Sequence, residues 1–355
     1  MKQSQALPPF SCHFSPQFSE LLHNLNCSIA LSTYQAGKLI FLSAKDPDNI
    51  TQLPRHFDKL MGIAQNKTGN KIALACKDSV QVFTNSPELA KFYPKAPNKY
   101  DALYMPRISY HTGALDIHDL SFGDGDQLYG VNTLFSCLVK FDSDYNFTPY
   151  WKPNWIERIV SEDFCHLNGM AMLDGKPKYV TAFNKGSTPQ SWKEDLTKTG
   201  IIVDVETDEI ICEGLAMPHT PSIFNGNLYT LLSATGELVC IDIKNKSYNV
   251  VTRLGGFVRG MDLIGDYLFV GISKIRKKSS SFGKLSFTHK ANRAAIVAVH
   301  LPTASIAGEI SYKSSVDEIY DVKIMKNTIR PNILNTTTEV HKAGVTIPGQ
   351  SFWSR

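Results

Sequence analysis

Three things are missing from this sequence, and each absence removes a class of protein. The 355-residue chain has no run of about 18 apolar residues, the minimum for a membrane-spanning helix, so no membrane partner is expected. It has no cysteines paired at the spacing of a redox or metal motif. Cys12, Cys27, Cys76, Cys137, Cys165, Cys212 and Cys240 stand singly, and none forms a CxxC. Several sit in apolar, strand-like runs, as buried free thiols do, which points to a reducing, cytoplasmic compartment. It also has no large excess of charge of one sign. Lys and Arg number 37 against 33 Asp and Glu, and the net charge of +4 is spread along the chain, so no nucleic-acid partner is expected. Residues 1–16 hold a single Lys and no apolar segment of about 7–15 residues, so no secretory signal is expected.

What is present is a globular composition, 43% hydrophobic and 20% charged, and one β-hairpin pattern repeated six times. The clearest copy is IHDLSFGDGDQLYGVNT, from Ile117 to Thr133. A polar pair, His118-Asp119, leads into the alternating segment Leu120-Ser121-Phe122. A Gly/Asp turn from Gly123 to Asp126 follows, and then a second strand from Leu128 to Val131. Further copies begin near residues 59, 166, 219, 259 and 318, spaced roughly 40–60 residues apart, each with three or four strand-like runs. That period and content predict an all-β chain folded as a six-bladed β-propeller. A β-sandwich or two smaller β domains is the competing architecture. The lack of a dividing linker and the persistence of the repeats favour the propeller.

The sixth repeat has no outer strands of its own at the C-terminal end. The hairpin read at residues 29–43 supplies them by pairing with a blade formed by residues 306–324, which removes the exposed sheet edges. The predicted organisation is an N-terminal extension (1–28), a propeller (29–330) and a C-terminal tail (331–355). Ser15 and Pro16 open a short helix in the extension. Residues 85–116, rich in Pro and Tyr, read as a long connection between blades. Residues 272–293 form a basic, Ser-rich insertion, either a solvated loop or an anion-binding flap carrying Arg276, Lys277 and Lys278.

Aligning the repeats on Ile63, Phe122, Met172, Ile223, Leu263 and Val322 puts Lys59, His118, Asn168, His219, Arg259 and Glu318 four residues upstream. All six are polar, and the start of an inner strand faces the propeller axis. Asp119, His166, Tyr320 and Asp321 fall close to the same ring. Three imidazoles from successive blades (His118, His166 and His219) suit a divalent ion such as Zn, Fe or Mn. The bland alternative is that these histidines bond neighbouring blades around a wet channel. Arg259, in GGFVRGMD, suits a substrate carboxylate or phosphate, or equally an ion pair with Glu318. Glu318, Asp119 and Tyr320 are the general acid/base candidates, and Lys59, Asn168, Asp321 and Arg276 the substrate-binding ones.

Together, HDLSFGDGDQLYGVNT, HLNGMAM, PHTPSIFNGNLY and GFVRGMDLIGDYLFVGISKIR resemble a family of uncharacterised bacterial proteins built on six such repeats, over residues 28–330. HLNGMAM is more distantly similar to the Pro-Asn-Gly turn of the gluconolactonase and strictosidine-synthase-like propellers. That resemblance implies a metal-binding role for Asn168. Leu167 stands where that family has Pro, and His118 and His219 replace its carboxylate or amide ligands, which weighs against Ca and lactonase chemistry. The three histidines are similar in arrangement, without a shared motif, to the zinc site of the peptidyl-hydroxyglycine amidating lyases. The leading expectation is a metal-dependent lyase or hydrolase acting on a small anionic or peptide-like substrate at the axial mouth. The alternatives are a non-catalytic propeller binding a peptide or protein, and a Ca-dependent lactonase-like hydrolase.

Overall fold

The computed structural model describes residues 7–275 and 293–354. The chain begins with β1 (Cys12–Phe14), helix α1 (Pro16–Asn24) and a meander of β2 (Cys27–Thr33), β3 (Lys38–Asp46) and β4 (Asn49–His56). The first full blade is β5 (Ile63–Gln65), β6 (Lys71–Ala75), β7 (Ser79–Asn85) and, after helix α2 (Pro87–Lys91), β8 (Ala102–His111). The second is β9 (Ile117–Phe122), β10 (Leu128–Asn132), β11 (Cys137–Lys140) and β12 (Thr148–Trp151). The third is β13 (Gly169–Leu173), β14 (Lys176–Ala182), β15 (Gly200–Asp204) and β16 (Ile210–Leu215). The fourth is β17 (Pro218–Phe224), β18 (Asn227–Leu232), β19 (Glu237–Asp242) and β20 (Ser247–Arg253). The fifth is β21 (Phe257–Ile264), β22 (Tyr267–Ser273), β23 (Ala294–His300) and β24 (Ser305–Tyr312).

The sixth blade is built from both ends of the chain. Its innermost strand is β25 (Val322–Lys326), paired antiparallel with β2 in the register Leu31↔Val322 to Cys27↔Lys326, and β3 and β4 complete the sheet. The propeller is thus six-bladed and closed by N-terminal strands, as the repeats predict. The segment read as 306–324 divides in two: β24 is the outer strand of the fifth blade, and only β25 enters the sixth. Strand β1 adds a fifth strand outside β24, and β26 (Pro331–Ile333) pairs parallel with β8. The stretch 85–116, expected as a connection, contains the whole of β8. Pro106 misleads there, because it sits beside a bulge between Val82 and Phe83 of β7, where a strand tolerates proline. After β26, the hairpin β27 (Gly344–Ile347) and β28 (Gln350–Trp353) docks on α2, and the Trp353 Nε1–H donates to Leu89 O at 3.1 Å.

Facing blades bury apolar side chains between them. Leu231, Leu238, Val258, Leu268, Val270 and Val297 form such a layer in the fourth and fifth blades, each contributing about 1.5–3 kcal/mol. All seven cysteines are free, five of them buried. Among the described residues, no helix is long and apolar enough to cross a membrane.

Nearer the axis the joints are polar, because backbone groups at the strand ends need partners once buried. Four hydroxyls at the end of a blade's second strand donate to the carbonyl that opens the next blade: Ser32 to Met61, Thr133 to Leu167, Ser233 to Val258 and Ser273 to Ile319. Three carboxylates do the complementary work. Asp119 accepts the N–H groups of Leu120 and Met170, Asp262 those of Leu263 and Ile324, and Asp321 those of Val322 and Ile63. Each pair joins a blade to its successor. Burial works against the charge of Lys323, yet Asp321, Asp119 and Asp262 outweigh it and hold its pKa above the ordinary lysine value. Gly260 meets the same seam in the left-handed region (φ +65), where a Cβ would lie 2.6 Å from the Asp321 Cα.

Replacing Asp321 with Ala would strand two buried N–H groups and remove the nearest counter-charge of Lys323. The expected loss is about 3–5 kcal/mol in urea unfolding. A loss below about 1 kcal/mol would show that the carboxylate does not join the blades.

Candidate functional site

At one end of the axis, side chains from five blades line a cavity of about 520 Å³. The hydroxyl joints give its register. The residues that follow the joined carbonyls are Gly62, Asn168, Arg259 and Tyr320, so Tyr320 is the structural equivalent of Arg259, and Glu318 lies two residues earlier. In the first blade the slot holds Gly62, whose Cβ would meet the Asp119 backbone at 2.9 Å. Lys59 instead occupies an exposed turn, with its Nζ 5.9 Å from the Tyr34 ring. Counting back from the turns misses this because inner strands carry bulges, at Arg259/Met261 and His219/Ser222 among others.

The cavity brings together His118, His166, Arg259, Glu318 and Tyr320. The Nδ1–H of His118 donates to Asp116 O at 3.0 Å, and that of His166 donates to Asp163 Oδ2 at 3.0 Å. His219 Nδ1–H donates to Ser233 Oγ at 2.7 Å, since the Ser233 hydroxyl proton is committed to Val258 O, and Met217 O lies 3.2 Å away. All three rings therefore carry their proton on Nδ1 and keep the Nε2 lone pair. His118 and His166 stand nearly perpendicular, with centroids 5.0 Å apart. Asp163 also accepts the Trp192 Nε1–H at 3.0 Å, and Trp192 packs on His166 at 4.2 Å. Asp163 and His166 both adopt left-handed φ values, 46° and 50°, a strain that holds the imidazole in the cavity wall.

Arg259 lies under the rings of Phe257 (4.7 Å) and Tyr320 (5.2 Å), and its Nη1 donates to Glu318 Oε1 at 3.3 Å. Its Nε–H is buried and has no partner among the described residues. Burial lowers the pKa of His118 and, joined by the charge of Arg259, takes that of His219 well below the usual range. Burial keeps the Tyr320 hydroxyl protonated well past the ordinary tyrosine range.

Other expected site residues lie elsewhere. Asp119 and Asp321 have their oxygens in the interblade joints. The Asn168 amide donates to His166 O and accepts from the Thr181 hydroxyl. His219 is buried outside the cavity wall, and Phe183 packs against both it (5.1 Å) and His166 (4.5 Å). The three histidines share the donor chemistry for a divalent ion, but among the described residues no group of three or more His, Cys, Asp or Glu is placed to hold one. Arg276, Lys277 and Lys278 lie outside the described residues.

Trp192, Asp163 and Phe257 were not expected. Phe257, two residues before Arg259 on one strand face, was legible from strand alternation. Trp192 sits in a polar loop with no periodic signal.

A family model described as "Domain of unknown function (DUF4915)" matches residues 16–334. No curated protein matches the chain. Among solved structures, one titled "Crystal structure of Nidogen/Laminin Complex" is similar at 10% identity and a TM-score of 0.55, covering 85% of this chain and 99% of that one. A protein of unknown function from Bacteroides caccae is similar at 9% identity and a TM-score of 0.50, covering 84% and 98%. At these identities the likeness is one of fold.

The depressed histidines give a pH signature. The unfolded chain takes up protons at His118 and His219 near 6.5, while the native chain resists, so their contribution to stability is intact above 6.5 and is lost as pH falls. Asp119, pushed up to about 6 by burial, acts oppositely: its contribution is present below 3.8 and is lost as pH rises through about 6. A His118→Asn, His219→Asn variant should therefore lose Tm less steeply than wild type between about pH 7 and pH 5. Parallel curves would contradict the burial of neutral rings.

Proposed function

The chain belongs to the DUF4915 family, a six-bladed β-propeller of unknown function, and from that premise we propose that its axial mouth binds a small organic anion and acts on it by acid–base catalysis. One observation carries this reading. Arg259 is held between two aromatic rings with donor capacity left over, beside two imidazoles whose Nε2 lone pairs are free, in a cavity sized for a small molecule.

Arg259 anchors the anion, and Glu318 steadies the guanidinium through Nη1. His118, kept neutral by burial, is the base at Nε2. Asp163, accepting the Nδ1–H of His166, fixes the tautomer and orientation of that ring, as the carboxylate does in an Asp–His pair. Tyr320 remains a hydroxyl donor at neutral pH. Trp192 and Phe257 exclude water from one side, which strengthens each of these charge interactions.

A second reading is a divalent-metal lyase or hydrolase, favoured by three imidazoles that all leave Nε2 as the acceptor. Metal content after purification without chelator separates the two. Stoichiometric Zn, Fe or Mn would replace the metal-free reading.

The direct test is a thermal-shift screen of small organic anions at fixed ionic strength. At least one should raise Tm saturably, with an affinity at least about 10-fold weaker in Arg259→Gln. Turnover of that compound should fall about 10²–10⁴-fold in His118→Asn while binding persists. A screen without hits, or a hit indifferent to Arg259, would end the proposal.

A further inference from the structure

We infer that the anion is a monocarboxylate carried on an apolar body, and not a phosphate; this rests on the reading of the mouth as an anion site. The first argument is charge. The described residues lining the cavity include three cations (Lys193, Arg259 and Lys274) and two carboxylates (Asp116 and Glu318), so 3 − 2 leaves one positive charge. Lys274 is itself engaged by Asp317, and Lys193 by Gln190. Glu318 stays 3.3 Å from the guanidinium that would take the ligand, and its carboxylate repels a second negative charge there. Among the described residues, this field matches a single carboxylate better than a phosphate dianion.

The second argument is the wall. Trp192 is 5% exposed, Phe257 5% and Tyr320 8%, yet all three reach the cavity, with Met61 and Ile275 beside them. Such a surface gains by covering apolar area and gives nothing to a small hydrated oxyanion. The third is Arg259 itself. Its single long contact to Glu318 and its unpartnered Nε–H leave donors for a two-oxygen acid.

The experiment is calorimetric titration of the full chain with four probes: phenylacetate, phenyl phosphate, acetate and inorganic phosphate. Phenylacetate should bind at least 10-fold more tightly than each of the others, and Arg259→Gln should remove that preference. Arg259→Lys, which keeps the charge and most of the packing, should retain weakened binding and guards against misfolding of the first variant. Phenyl phosphate binding more tightly than phenylacetate, through Arg259, would overturn the carboxylate while leaving the anion site standing. Acetate binding as tightly as phenylacetate would overturn the apolar body. Binding by none of the four, or binding unchanged in both Arg259 variants, would overturn the inference and the anion site together.

Discussion

The pairing of Val322–Lys326 with Cys27–Thr33 is the interaction on which the rest of this molecule depends. It joins segments from opposite ends of the chain, so its loop-closure entropy is offset only when the whole ring forms. At its end the Ser32 N–H donates to Asp321 O, Ser32 O accepts the Tyr320 N–H and Ser32 Oγ the Asp321 N–H, while the Ser32 hydroxyl reaches Met61 O and the Asp321 carboxylate the Ile63 N–H. The first, fifth and sixth blades meet there. The same seam sets Tyr320 and Glu318 against Arg259, so the cavity exists only in the closed ring.

The axis carries two polar layers with different electrostatics. In one, Asp119, Asp262 and Asp321 bond the backbones of successive blades and share the charge of Lys323. Nearly every oxygen there is committed, and such a layer rigidifies the ring around it. In the other, the imidazoles are held by one nitrogen each, and Arg259 keeps a donor to spare. His118 and Asp119 are adjacent in sequence yet belong to different layers, because neighbouring strand residues point to opposite sides. The committed layer holds the open one in place.

Strand alternation, turn residues and a recurring period were enough to read the architecture from the sequence, because each is a local consequence of backbone geometry repeated along the chain. The same repeat brought out His118, Arg259 and the neighbourhood of Tyr320, since a residue at the start of an inner strand faces the axis whatever its partner. What the sequence could not decide was the register of each inner strand. Bulges present in some inner strands and absent from others change the count from turn to axis, which is why Tyr320 takes the slot counted to Glu318 and Gly62 the slot counted to Lys59. Phe183 between His166 and His219, and the Asp163–His166–Trp192 cluster, depend on packing between a loop and neighbouring blades. Sequence spacing carries no trace of such contacts, and only closure of the ring brings these residues within reach of one another.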